Sequence, residues 1–274
     1  MKSVKPSSYV DYDQIIKDSD KYCDEFIKNG FILFKKINIS EKQQIDFMSH
    51  YAKKLNWFND ADSNVFSKYR YEENHSRVMD FKKIPFDKYI ISWHLEHVEI
   101  ANDPIISATW NMFNFKCDNK NGQTHFVDTE KIYEQMSEEW KYFLLKSKEK
   151  IIKNGQTYII DCVKPHWFTN KPVLRIDLQT EGLYDSLYKL NNIDPSTEDI
   201  KYFKEIRNFY FDQVLYNKDI RICHKWDEGD FLVVDLFKMA HTVTGGFSSK
   251  DRKFVGYWIF KSKGDYIKDV SKND

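Results

Sequence analysis

The spacing of hydrophobic residues along the chain predicts helices mixed with many short strands. Four segments repeat apolar residues at the helical period: 13–28, 41–55, 129–150 and 195–216. Gly30 follows the first segment as a helix stop. Ser40 and Gln43 form the sequence pattern of a capping box at the start of the second segment, and Pro195 opens the fourth.

The strand pattern indicates a mostly β fold with added helices. Short apolar or alternating segments predict strands near residues 31–34, 89–98, 105–116, 123–127, 156–162, 172–178, 220–226, 230–235 and 253–261. We expect a double-stranded β-helix core of the jelly-roll, cupin-like kind, because strict strand–helix alternation and the GxGxxG and GxxxxGK[ST] motifs are missing. No composition shift divides residues 1–274, so one domain is expected, with residues 58–88 as a polar loop or lid.

Charge and composition narrow the class of partner. Lys+Arg and Asp+Glu both number 42, which argues against a general nucleic-acid or acidic-membrane binder. The apolar runs, such as 231–234, fall far short of the roughly 20 residues that span a bilayer, and the first ten residues lack a signal-peptide core. The four cysteines are widely spaced without a CxxC. A cytoplasmic protein that acts on a small molecule is the expectation.

The segment Ser92-Trp-His-Leu-Glu-His-Val-Glu99 contains candidate metal ligands. Residues two apart on a strand share one face, so His94 and Glu96 can reach one ion, and a second imidazole would complete a facial triad with open positions. His97 and Glu99 make a second HxE pair on the opposite face, and periodicity does not choose between the pairs. Taken alone, either pair is explained more simply as a polar strand face.

The second imidazole has to come from another segment. The candidates are His50, His75, His125, His166, His224 and His241. His241 is favoured by context, because it follows the predicted strand at 230–235 and precedes Arg252 at the start of another strand. A guanidinium beside a metal site can bind a carboxylate through two hydrogen bonds, although an ordinary surface arginine explains Arg252 in isolation.

Taken in order, several motifs resemble those of the taurine dioxygenase-like (TauD/TfdA-type) group of iron(II)/2-oxoglutarate oxygenases. The similar segments are Gly30-Phe-Ile-Leu-Phe-Lys-Lys36, Trp93-His-Leu-Glu96 (WHx[DE]), Pro104, Gly122-Gln-Thr-His-Phe-Val-Asp128 (GGxTxF, with Asn121 at the first glycine), Lys171-Pro-Val-Leu-Arg175 (an HPVVR-type strand without its histidine), Trp226-Asp-Glu-Gly-Asp230, Asp235, His241 and Arg252. The resemblance covers about residues 30–260, apart from 58–88.

The resemblance implies an assignment of ligands and cofactors. It implies that His94, Glu96 and His241 bind Fe(II), which makes them the catalytic residues, and that His97 and Glu99 face away. Thr124 and Arg252 would hold the far carboxylate of the cosubstrate 2-oxoglutarate, whose keto acid end chelates the iron. O2 would be consumed, succinate and CO2 released and a small substrate usually hydroxylated. Glu96 fills the position that related halogenases leave open for chloride.

Other functions remain compatible with the residues themselves. The same platform can carry out desaturation, ring closure or oxidative decarboxylation. A non-catalytic jelly-roll binding protein is a second alternative, but it has no use for an intact triad together with Arg252. A hydrolytic zinc enzyme could use the same ligands, but it leaves Thr124 and Arg252 unexplained. In taurine-oxidising members a second arginine four residues after the first binds the sulfonate, whereas Gly256 stands at that position here. The resemblance therefore implies a substrate other than taurine. A polar or amino-acid-like molecule is expected, since Gly256 leaves space for it.

Overall fold

A computed structural model describes residues 2–3, 10–55, 66–70, 88–96, 105–118, 120–153, 155–178, 187–248 and 250–260. The helices are α1 (Tyr12–Lys17), α2 (Ser19–Asn29), α3 (Glu41–Leu55), α4 (Thr129–Gln135), α5 (Glu138–Leu145) and α6 (Thr197–Tyr216). The strands are β1 (Lys2–Ser3), β2 (Phe31–Phe34), β3 (Phe66–Arg70), β4 (Tyr89–His94), β5 (Ile105–Phe115), β6 (Thr124–Asp128), β7 (Ser147–Lys153), β8 (Gln156–Asp161), β9 (Val163–Pro165), β10 (Pro172–Leu174), β11 (Leu187–Leu190), β12 (Ile222–His224), β13 (Phe231–Val234), β14 (Met239–Thr244) and β15 (Arg252–Phe260).

Two five-stranded sheets dominate the architecture, so the expectation of a mostly β fold with helices is confirmed. The first sheet has the strand order β1-β12-β6-β14-β4 and the second β2-β13-β5-β15-β3. All pairings in both sheets are antiparallel except β1 with β12. A three-stranded sheet (β11-β7-β8) and a two-stranded sheet (β10-β9) complete the described strands.

The hydrophobic core forms three layers. The central layer joins the facing sides of the two large sheets, with side chains from β5 and β13 packed against those from β6 and β14. A second layer lies between helices α1–α3 and the outer face of the second sheet. The third covers the outer face of the first sheet with α4, α5 and α6. The inner strands of each large sheet are therefore buried on both faces, which explains their long apolar runs.

Local sequence signals account for several helix ends. Gly30 ends α2 in the left-handed conformation at φ 77°, and its N–H donates to the Phe26 carbonyl at 2.7 Å. The predicted capping box is present before α3, where Gln43 N–H donates to Ser40 Oγ at 3.2 Å and Ser40 N–H to Gln43 Oε1 at 2.9 Å. Helix α6 begins one residue after Ser196, which forms a reciprocal capping box with Asp199.

Two predicted helices were wrong in extent. The segment 13–28 is divided at Asp18 into α1 and α2. The segment 129–150 is interrupted twice, because Ser137 caps a new helix by accepting from Trp140 N–H at 3.2 Å and the chain enters strand β7 at Ser147.

Most of the predicted loop at 58–88 lies outside the described residues. Within it, residues 66–70 form β3 and pair with β15, so the prediction of an irregular segment was wrong there. The described chain has no helix that is long and apolar enough to cross a membrane. All four cysteines are free; Cys117 is partly exposed and the other three are buried.

Candidate metal centre and its cavity

Strand pairing in the first sheet brings the predicted metal ligands together. His94 on β4 lies directly across from His241 on β14, and their ring centroids are 4.2 Å apart. Glu96, two residues beyond His94, turns its carboxylate to both rings: Oε2 lies 3.7 Å from His94 Nε2 and 3.6 Å from His241 Nε2. Within the described part of the chain, these three residues are the one group of such side chains spaced to hold a metal ion.

The two imidazoles present the same nitrogen to the carboxylate. Nδ1 of His94 lies 2.9 Å from the Ser92 carbonyl, and Nδ1 of His241 lies 3.4 Å from the Met239 carbonyl. A backbone carbonyl favours a proton on Nδ1, which leaves the lone pair of Nε2 directed at the centre of the group. Burial, and then the neighbouring His94, lower the pKa of His241 to about 3, so this ring is neutral at physiological pH.

A cavity of about 150 Å³ opens beside the three residues. Its polar lining includes Thr124 from β6 and Arg252 from β15, so one cavity contains all five of the site residues predicted from sequence. The remaining lining is Ile90, Ile91, Trp110, Trp226, Val243, Phe254 and Trp258. The cavity thus has a few polar groups in a largely apolar lining, which is the usual make-up of a small-molecule site.

Arg252 is a buried side chain that lines this cavity. It is 4% exposed, and its Nη2 donates to Thr124 Oγ1 at 3.3 Å. Three aromatic rings surround the guanidinium, with centroids 5.2–5.7 Å away on Phe254, Phe247 and Trp226. Since a buried cation favours an anionic partner, the guanidinium and the hydroxyl together can bind a carboxylate.

The other described histidines contact different partners, away from the three-residue group. Nε2 of His50 lies 3.0 Å from Ser19 Oγ, and Nε2 of His166 lies 2.7 Å from Asp235 Oδ2. His125 contacts Tyr89 and Gln123, and His224 lies 3.4 Å from Asp230. The remaining residues discussed from sequence, His75, His97, Glu99 and Pro104, lie outside the described residues.

Aromatic residues near the motif strands divide between core and cavity. Trp93 and Phe126 are buried in the core, whereas Phe113 is 43% exposed. Trp110 and Trp258 line the cavity. Trp226 belongs to a motif that predicted no role for it, although its indole N–H donates to Thr124 Oγ1 at 2.8 Å. The signal available was its position in the Trp226-Asp-Glu-Gly-Asp230 motif, between β12 and β13.

Comparison with known proteins finds solved structures of similar fold. No curated protein sequence matches the chain. Among solved structures, a taurine dioxygenase from Burkholderia xenovorans is similar with a TM-score of 0.60 at 12% identity, covering 89% of this chain and 81% of that one. A putative alpha-ketoglutarate-dependent taurine dioxygenase from the same organism gives 0.61 at 13%, covering 94% and 87%.

A third similar structure is AAD-2 in complex with Mn(II) and N-oxalylglycine, with a TM-score of 0.59 at 11% identity, covering 92% of this chain and 91% of that one. At these identities the likeness shows a shared fold. The sequence profile described as "Taurine catabolism dioxygenase TauD, TfdA family" matches residues 4–258, which is nearly the whole chain. The chain therefore belongs to the TauD/TfdA family of 2-oxoglutarate-dependent non-heme iron dioxygenases, which use Fe(II), 2-oxoglutarate and O2.

Proposed function

We propose that His94, Glu96 and His241 hold the iron(II) of this dioxygenase. The observation that carries the proposal is the convergence of two Nε2 atoms and one carboxylate oxygen, with both separations from the carboxylate oxygen below 3.8 Å, at the wall of a cavity. Donors that bind one metal at about 2.0–2.2 Å have to lie this close together. A set of two imidazoles and one carboxylate leaves coordination positions open, which suits non-heme iron.

We propose further that Arg252 and Thr124 bind the distal carboxylate of 2-oxoglutarate. Both residues line the same cavity as the three ligands, so one small molecule can contact both ends of the site. The guanidinium neutralises the carboxylate in a buried setting, and the hydroxyl adds a hydrogen bond. Bound iron supplies the redox and oxygen chemistry that side chains lack. The chain itself binds and orients the reactants and excludes water from them.

The double-stranded β-helix is also part of the proposal. From β12 onward, successive strands alternate between the two large sheets: β12 and β14 lie in the first, and β13 and β15 in the second. The earlier strands β4, β5 and β6 alternate in the same way. This alternation is what a chain wound around two facing sheets produces, and it supports the jelly-roll interpretation.

The proposed reaction is the hydroxylation of a small polar or amino-acid-like molecule, with release of succinate and CO2. The size of the cavity supports a small substrate. Ile90, Ile91 and Val243 form apolar walls beside the ligand group, which suit the carbon that is oxidised and help to exclude water. The polar end of the substrate would then lie away from these walls.

Succinate formation tests the proposed function. The protein is supplied with Fe(II), 2-oxoglutarate and O2, and candidate amino acids and small acids are screened for those that increase succinate. We expect succinate that depends on all three components and that is lost in His241→Ala. His50→Ala, on α3 and hydrogen-bonded to Ser19, is the matched control and should retain turnover. A wild-type protein that forms no succinate with any candidate would contradict the proposal.

A further inference from the structure

The hydroxyl of Thr124 already receives two hydrogen bonds. Trp226 Nε1 donates to Thr124 Oγ1 at 2.8 Å, and Arg252 Nη2 donates to the same oxygen at 3.3 Å. Indole and guanidinium N–H groups are donors only, so Thr124 has to be the acceptor in both contacts. The direction of both hydrogen bonds therefore follows from the chemistry of the donor groups.

Two donors fill the accepting capacity of a hydroxyl oxygen. A hydroxyl has two lone pairs and one proton, so the proton of Thr124 has to point in the remaining direction. Among the described residues, no acceptor for that proton lies within hydrogen-bonding distance. Thr124, Trp226 and Arg252 all line the cavity, and the cavity is the space left for a partner.

The position of the Trp226 indole is itself constrained by its neighbours. The ring of His224 packs edge-on against it, with centroids 4.3 Å apart, and His224 Nε2 lies 3.4 Å from a carboxylate oxygen of the fully buried Asp230. Lys35 Nζ lies 2.7 Å from the same carboxylate. Trp226 is 3% exposed, so its N–H has little freedom to turn away from Thr124.

We propose that Trp226 is a positioning residue that directs the Thr124 hydroxyl proton into the cavity and thereby tunes the affinity for the distal carboxylate of 2-oxoglutarate. This rests on the proposed function, in which Thr124 and Arg252 bind that carboxylate. A hydroxyl that can only donate selects a ligand group that can only accept, and an ionised carboxylate meets this requirement. In this proposal the Trp226 N–H acts on the carboxylate through Thr124, to which it donates.

The experiment measures the affinity of the Mn(II)-loaded protein for 2-oxoglutarate by calorimetry. The variants are Trp226→Phe, Thr124→Val and the double variant, with Trp140→Phe on α5 as the matched tryptophan control. Trp226→Phe removes the N–H and frees the hydroxyl to rotate, so we expect binding about 3- to 10-fold weaker, the value of roughly one hydrogen bond. Mn(II) affinity should stay unchanged, and Trp140→Phe should bind 2-oxoglutarate as the wild type does.

The double variant separates positioning from general loosening of the site. If Trp226 acts through Thr124, its substitution adds little to the loss already caused by Thr124→Val. Losses that multiply in the double variant, or wild-type affinity in Trp226→Phe, overturn the positioning role. Should Trp226→Phe fail to fold, benzothienylalanine at position 226 keeps the two-ring shape and replaces the N–H with sulfur. A wild-type protein that does not bind 2-oxoglutarate at all overturns the proposed function as well, which distinguishes the two failures.

Discussion

Individual residues in the cavity owe their charge states to burial and to their neighbours. His241 is neutral because burial and His94 hold its pKa at about 3, which keeps its Nε2 lone pair available. Arg252 stays cationic at any accessible pH and lies among aromatic faces. The cavity therefore combines the neutral imidazole of His241 with the fixed positive charge of Arg252, which suits a cosubstrate that chelates metal and carries a second carboxylate.

Replacing Arg252 tests the binding of that second carboxylate. A hydrogen bond between charged groups contributes about 1.5–3 kcal/mol, so Arg252→Ala should weaken 2-oxoglutarate binding roughly 10- to 150-fold. Metal affinity should change little, since Arg252 is not among the three clustered side chains proposed to hold the metal. Lys253→Ala is the control, because that neighbouring side chain is partly exposed and does not line the cavity. Calorimetric titration that finds equal 2-oxoglutarate affinity in Arg252→Ala and the wild type would refute the assignment.

His125 makes the free energy of unfolding depend on pH. Burial, and then the nearby Arg221, lower the pKa of His125 to about 4, whereas an unfolded histidine titrates near 6.5. Between these values the unfolded state binds the proton and the folded state does not. The contribution of neutral His125 to the free energy of unfolding is therefore fully present above about pH 6.5. It is lost as the pH decreases toward 4.

Between pH 7.5 and pH 5, His125 alone should lower the free energy of unfolding by about 2 kcal/mol. Urea unfolding of the wild type and of His125→Gln at both pH values measures it. The difference between the two pH values should be smaller in His125→Gln by about that amount. An equal pH dependence in the two proteins would show that His125 does not titrate as its environment indicates.

At the scale of elements, the sequence predicted the strands with a clear apolar pattern but missed β1, β3, β7, β9, β11 and β14. Of the strands that carry the site, β4, β6 and β15 overlap predicted strands, because their apolar residues have a clear pattern, whereas no strand was predicted for β14, which carries His241. The segment 129–150 was harder, since its helical spacing continues across the Ser137 cap. Strand β3 was missed because its polar sequence has no core pattern, and its structure depends on pairing with β15.

The turn between β13 and β14 holds His241 in place. Asp235 accepts from the Phe237 N–H at 3.1 Å through Oδ1, and its Oδ2 lies 2.7 Å from His166 Nε2. Arg175 Nη1 donates to the Phe237 carbonyl at 2.7 Å. These buried contacts fix the turn that leads into β14, so the alignment of His241 with His94 depends on groups outside the cavity.

Removing the Asp235 carboxylate should therefore reduce stability and metal affinity together. Asp235→Ala leaves buried donors without an acceptor, which costs about 2–4 kcal/mol of unfolding free energy. Asp161→Ala, at a half-exposed carboxylate 3.6 Å from Lys148, should change stability by less than about 0.5 kcal/mol. Urea unfolding and metal titration measure both effects. Wild-type stability in Asp235→Ala would show that this turn does not hold His241 in place.

At the scale of the whole molecule, the fold assembles the site from distant segments. His94 and Glu96 come from the first half of the chain, Thr124 from its middle and His241 and Arg252 from its end. Period-two spacing predicts that His94 and Glu96 share a face, but it contains no information on which histidine lies opposite. The pairing of β14 with β4 supplies that information, and the role of Trp226 likewise depends on contacts across the fold.

Gly256 on β15 predicts that taurine is not a substrate. Arg252, Phe254 and Trp258 on β15 all line the cavity, so Gly256 occupies the intervening position on the same face. It offers no cation for a sulfonate, and an unpaired buried anion costs several kcal/mol. Incubation with iron, 2-oxoglutarate and taurine should give no sulfite above the uncoupled background. Robust sulfite release would show that another cation binds the sulfonate.

The identity of the iron ligands is tested most directly by one anaerobic titration of Fe(II) into the wild type, His94→Ala and His97→Ala. The two variants remove neighbouring histidines that periodicity alone does not distinguish. Because the His94 ring lies beside Glu96 and His241, we expect one Fe(II) per chain in the wild type and in His97→Ala, and loss of tight binding in His94→Ala. Tight binding retained by His94→Ala and lost by His97→Ala would contradict the proposed metal centre.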